Sequence, residues 1–507
     1  MSFVAAIVIT SILTDQSKFD QRARDWRNGA TIYQVFVDRF TPSTDLARTK
    51  KNIIPPRSLK SWKELPTPGS KIENLGVYTH EIEFWGGDLK GIANKIGYIS
   101  DLGMDCLYLT PIFKAFTNHR YDTLDYKAIA PELGTTLDLW QLRSLLHKRG
   151  MKIMLDGVFN HMGRGSHIFQ DALKNPNSKY RKWFYFGKQY PLGYRGWAGV
   201  SSLPALNLEN KEVRDFLINK VVKPNLQNMI DGWRLDVAFE LGPRYLSEIT
   251  GAAHSVNARS SVVGEISGYP SNWFPSVDGV FNFFAPGLVI HSLFGKMSGG
   301  RVSSALQEMV DNAGIEHLLK SWVLLDNHDT PRIADVIPNL SKRKVATAVQ
   351  FTLPGCPVVY YGSELGMAGQ GDPQNRAPMQ WELANDSNLT LDWYKKVSRI
   401  RKTHRALRIG DFKSLNTGSL IGYIRFTDQL PESVIVLANP TDRPVTETIP
   451  LPIGRLMSWG QIKDLISGAM KVTVNGILSV EMNPNSVAIF VPVISKNNGY
   501  SAYDRID

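Results

Sequence analysis

The chain has 507 residues, 43% of them hydrophobic and 21% charged, so it can bury a large core and needs neither metal nor disulfide to fold. Its formal charge of +11 raises nucleic acid or an anionic membrane as partners, but no run of five or six Lys or Arg occurs. The charge is therefore read as a surface property, and nucleic-acid binding is set aside.

Residues 2–13 (SFVAAIVITSIL) form an apolar stretch too short to span a bilayer. They read as the remnant of a signal sequence, which favours a secreted or periplasmic protein over a cytoplasmic one. The basic n-region and cleavage site of such a signal are missing, so a strand or helix docked on the body is the alternative.

From residue 31 onward, short apolar runs alternate with longer amphipathic stretches, the βα rhythm of a parallel sheet. Strands are predicted over 31–37, 106–110, 152–158, 232–237, 261–266, 279–283, 322–326 and 357–361. Helices are predicted over 139–149 and 213–229, and residues 341–344 read as a solvated helix start. Eight such units fit an α/β fold of the (β/α)8 TIM-barrel type over residues 26–160 and 211–408, behind an N-terminal segment of residues 1–25. Residues 41–70, with five Pro, read as a long loop, and residues 161–210 as a small inserted subdomain after the third strand. Over residues 409–507, short alternating runs (SLIGYIRF, SVIVLANP, SVAIFVPV) predict a C-terminal antiparallel β-sandwich. Cys106 and Cys356 fall in apolar segments, make no disulfide framework and leave the redox compartment open.

Polar residues cluster where the strands end. Asp156 and Asn160 lie on one face of LDGVFNH, followed by His161, and Arg234 and Asp236 share a face of GWRLDV. Glu265 ends VVGEI, and Asn327, His328, Asp329 and Arg332 end LLDNHDTPR. Charges at the ends of apolar strands are costly unless paired or used, and barrel strands converge on one mouth. Glycosidic cleavage needs such a set: one ionised carboxylate to attack the anomeric carbon and one protonated carboxyl to release the leaving oxygen. Arg234 should favour the charged form of Asp236. Glu265 has no basic neighbour in sequence, which should raise its pKa and suit it to acid/base work. The 12 Trp and 18 Tyr suit stacking on sugar faces, although core packing accounts for most of them.

The motifs DGVFNH, GWRLDV, GEI and NHD, in this order, resemble the four signature regions of the α-amylase family, glycoside hydrolase family 13. EFWGGDLKGI, TNHRYDTLDY, LPALN and YYGSELGM support the likeness, which runs from Trp26 to the C-terminus. It implies Asp236 as nucleophile, Glu265 as acid/base and Asp329 as the acid that stabilises the transition state. It further implies that Tyr121, His161, Arg234, His328 and Arg332 bind substrate. Asp156 is assigned to holding Arg234.

GWRLDVAFE, with Glu240, and GMAGQGDPQNRAPMQW resemble the neopullulanase and cyclomaltodextrinase subgroup. That subgroup has MPKLN where this chain has LPALN, and a dimer-building N-terminal domain where only residues 1–25 precede the barrel. The oligomeric state is left open. No cofactor is required; for calcium, Asn160 is the one candidate ligand, since calcium-dependent relatives carry His where Glu240 stands. The expected activity is retaining hydrolysis of α-1,4-glucosidic bonds in starch, maltooligosaccharides or cyclodextrins. The alternatives are transglycosylation through the same intermediate and a barrel kept only for binding or assembly; the latter is opposed by the three acids and by the lack of an apolar membrane span.

Overall fold

The structure, a computed structural model, describes residues 17–494; the apolar stretch at 2–13 lies outside the described residues. Eight parallel strands close a barrel: β1 (Ile32–Val35), β2 (Cys106–Leu109), β3 (Lys152–Gly157), β4 (Gly232–Leu235), β5 (Ser261–Gly264), β6 (Gly279–Asn282), β7 (Trp322–Leu324) and β8 (Cys356–Tyr360). β1 seals the ring by pairing on both sides, with Ile32 opposite Cys106 in β2 and Val358 in β8. Alternate side chains point in and out. Ile32, Tyr108, Met154, Val263 and Trp322 fill the barrel, while Tyr33, Leu107, Ile153, Val262 and Val323 pack outward under the helices. Cys106 and Cys356 are buried and unbridged.

The strands end one or two residues earlier than the sequence predicts, because the ladder stops where the chain turns into the loops of the mouth. At the end of β4 this turn is sharp: Val237 is held at φ 40°, a left-handed conformation rare for a β-branched residue. It opens helix α2 (Ala238–Val256), which is interrupted at Gly242 and Pro243. Helix α1 (Thr136–His147) starts earlier than predicted because Thr135 and Asp138 form a reciprocal cap. The helix predicted at 213–229 is continuous from Lys211 to Asn228 but carries a π-helical segment, Leu217–Val222.

The loop expected at 41–70 contains a short helix, Leu46–Asn52, capped by Asp45. Between β3 and β4 the chain builds a helix, His167–Lys174, and returns to the barrel mouth through the bridge His161↔Ala205. Beyond the barrel, a six-stranded antiparallel sheet and a two-stranded one (Val445–Pro450 with Ile477–Met482) enclose a separate core of Ile424, Ile435, Leu437, Ile449, Leu478 and Phe490. Among the described residues no helix is long and apolar enough to cross a membrane.

Candidate active site

Arg234 organises the mouth of the barrel. It is fully buried on β4, in register with Asp156 on β3, and its Nη1 donates to both Asp156 oxygens at 2.7 and 2.9 Å. The same nitrogen donates to Asp236 Oδ1 at 3.0 Å, and Nη2 forms an ion pair with Glu265 Oε1 at 2.7 Å. One guanidinium thus meets three carboxyl groups from three strands. Tyr108 and Tyr121 also donate to Asp156, at 2.6 and 2.9 Å, so this carboxylate is fully engaged and serves to fix the arginine.

Two electrostatic expectations are corrected here. Glu265 does have a basic partner, Arg234, and its Oε2 accepts the Val237 backbone N–H at 2.8 Å. Sequence order could not show this, because the contact is made across neighbouring strands. Asp236 is pushed well above its ordinary value of 3.8: burial is the main cause, and repulsion from Glu265, Asp156 and Asp329 adds to it against the opposing pull of Arg234. One guanidinium does not neutralise so many carboxylates in a desolvated cleft.

Asp329 faces the same cavity, held by Arg376 Nη2 at 3.2 Å and His328 Nε2 at 3.1 Å. The cavity measures about 350 Å³, and Tyr121, His161, Asp236, Glu265 and Asp329 all line it. Tyr121 is half-buried and stacks on His328 with ring centroids 5.5 Å apart and planes 6° apart. Gln34 bonds His328 Nδ1 at 2.8 Å, and burial drives the His328 pKa far down, so the ring is neutral.

His161 lines the cavity with its ring buried and neither ring nitrogen in a hydrogen bond. Burial lowers its pKa from 6.5 to about 3. Below pH 6.5 the unfolded chain therefore takes up a proton that the native state excludes, and stability present above that pH is lost as pH falls. Melting curves at pH 7 and 5 should show the wild type losing about 2 kcal/mol more than His161→Gln. Equal losses in the two proteins would refute a neutral buried His161.

Two sequence assignments move. Arg332 is fully buried away from the cavity, where it donates to Tyr361 O at 2.7 Å and Asn375 O at 2.9 Å and packs over the rings of Tyr360 and Tyr361. It braces the end of β8 and does not line the cavity. The cation that lines the cavity is Arg376, paired with Asp372 at 3.0 Å and with Asp329. The sequence signal was the i, i+4 spacing within DPQNR. Asn160, the candidate calcium ligand, donates its amide to Glu240 at 3.0 Å. Among the described residues no group of three or more His, Cys, Asp or Glu is placed to hold a metal. Trp197, from the inserted segment, also lines the cavity and went unnoticed in the sequence.

The α-amylase catalytic-domain family matches residues 34–256 and 294–403. The chain is 31% identical to a cyclomaltodextrinase of Geobacillus thermopakistaniensis, over 92% of this chain and 78% of that one. It is equally identical to neopullulanase 2 of Thermoactinomyces vulgaris, over 91% and 77%. Among solved structures, the cyclic α-maltosyl-(1→6)-maltose hydrolase of Arthrobacter globiformis, in complex with maltose, superposes with a TM-score of 0.78 at 27% identity, covering 92% of this chain and all of that one.

Proposed function

The chain belongs to the α-amylase family of glycoside hydrolases, and on that premise we propose that it cleaves α-1,4-glucosidic bonds of maltooligosaccharides, cyclodextrins or starch with retention of configuration. The observation that carries the reading is Arg234 bridging Asp236 and Glu265 within one sugar-sized cavity that Asp329 also faces. Two carboxyls joined by one guanidinium suit the ~5–5.5 Å spacing of a retaining pair better than the ~6.5–9.5 Å that admits an inverting water.

Asp236 attacks the anomeric carbon and Glu265 protonates the departing oxygen; water activated by Glu265 then releases the glycosyl-enzyme. Burial and the surrounding carboxylates favour a proton on Asp236, which must leave that group before it can attack. Asp329, held by Arg376, faces the positive charge that develops on the sugar ring. Neutral His161 lines the cavity without adding a repelling charge, while His328, engaged by Gln34, Tyr121 and Asp329, lies behind the cavity wall and braces the latter two rather than meeting the sugar. No step needs a cofactor.

The test is a product profile on maltotriose, β-cyclodextrin, starch and pullulan, with the anomer of the first product read by NMR. An α-configured first product from an α-linked substrate supports the reading, and a β product overturns it. Products longer than maltotriose would show that sugar competes with water for the intermediate.

A further inference from the structure

We infer that Glu240 is a positioning residue that fixes the indole of Trp197 in the wall of the catalytic cavity. The inference deepens the reading of this cavity as an α-glucan site. Glu240 sits in the first turn of α2, four residues after Asp236, and is itself exposed. Its two oxygens are engaged by two different segments: Oε1 accepts Trp197 Nε1 at 3.0 Å, and Oε2 accepts Asn160 Nδ2 at 3.0 Å.

Trp197 lies at the tip of an excursion, residues 195–205, that leaves the barrel mouth and folds back on itself. The tip is tightly turned. Ala198 is held at φ 47° and Gly199 at φ 77°, and a Cβ on Gly196 would meet Val200 O at 2.4 Å. The backbone bonds of residues 196–200 stay within the excursion, for example Trp197 N to Leu203 O and Val200 N to Trp197 O, both at 2.8 Å. The bond to Glu240 instead ties the indole to the barrel. It places the ring 5.5 Å from the unpartnered ring of His161, against the cavity that Asp236, Glu265 and Asp329 share. A flat ring fixed there offers a stacking face to a sugar without the entropic cost of ordering it at each encounter. An N–H donated to a carboxylate is the stronger kind of hydrogen bond, suited to that restraint.

The test uses the full chain as wild type, Glu240→Ala, Trp197→Phe, Trp197→Ala and the Glu240→Ala/Trp197→Ala double variant. Two readouts are taken: amide hydrogen exchange of residues 196–200 without substrate, and KM and kcat on maltotriose. Glu240→Ala should speed exchange in the tip and raise KM about tenfold, with a much smaller change in kcat. Trp197→Phe keeps a ring but removes the same bond from its other end, so it should reproduce Glu240→Ala. The double variant should be no worse than Trp197→Ala alone. Unchanged exchange in Glu240→Ala overturns the inference, and so do additive effects in the double variant, because Glu240 would then act on the sugar directly. If exchange rises but the wild type does not turn over maltotriose, the positioning role stands and the substrate reading falls.

Discussion

Replacing Asp236 with Asn is expected to lower kcat by at least about 10⁴-fold, because no other group can form the glycosyl-enzyme bond. The same change should leave the melting temperature at or above that of the wild type. Burial and the neighbouring carboxylates hold the Asp236 pKa far above 3.8, so at neutral pH its charge is disfavoured in the native state. Asn has the same shape without the charge, which relieves the repulsion at the cost of one bond to Arg234. Steady-state kinetics on maltotriose and a thermal melt at pH 7 check both halves. A loss below tenfold would remove Asp236 from the reaction, and a large fall in melting temperature would show the attraction of Arg234 outweighing the repulsion.

Arg234→Met should have the opposite balance, losing both activity and stability. The guanidinium is fully buried, and removing it leaves Asp156 and Asp236 facing each other with no cation between them. Breaking a buried pair from one side costs about 3–5 kcal/mol. The deficit should shrink as the pH is lowered, because the orphaned carboxyls, their pKa values raised, can then take protons that the unfolded chain binds less readily. Arg234→Lys should recover part of the stability but not the activity, since a single ammonium cannot bridge Asp236 and Glu265 as a fork does. Melting curves of the three proteins between pH 5 and 8 decide the matter. A Met variant that melts with the wild type throughout would overturn the bridging role.

Much of this arrangement was legible in the sequence. The eight strands could be read because each is a short apolar run ending in a polar group, and the barrel then brings those ends together. That is why Asp156, Arg234, Asp236, Glu265, His328 and Asp329 can be placed at one mouth from the sequence alone. What could not be read depends on contacts between distant segments. Glu265 looked isolated because its cation comes from the adjacent strand. Arg332 looked close to Asp329 because it is near in sequence, but the chain turns and sends its guanidinium beneath the end of β8, while Arg376 arrives from a later loop. Trp197 was hidden in an irregular segment whose path has no periodicity to read. For Asp236 the sequence shows a neighbouring cation but not the desolvation that raises its pKa.

The double pairing of β1 bears on how the chain is made. Synthesis runs from the N-terminus, so β1 gains β2 early but has an open edge until Val358 and its strand leave the ribosome. Throughout that interval the nascent half-barrel displays a row of unsatisfied amides and carbonyls beside apolar side chains, which invites pairing with other nascent chains. Fragments that stop short of β8 should accordingly be prone to aggregate, and yield on expression should depend more on chaperone supply than the stability of the finished ring would suggest.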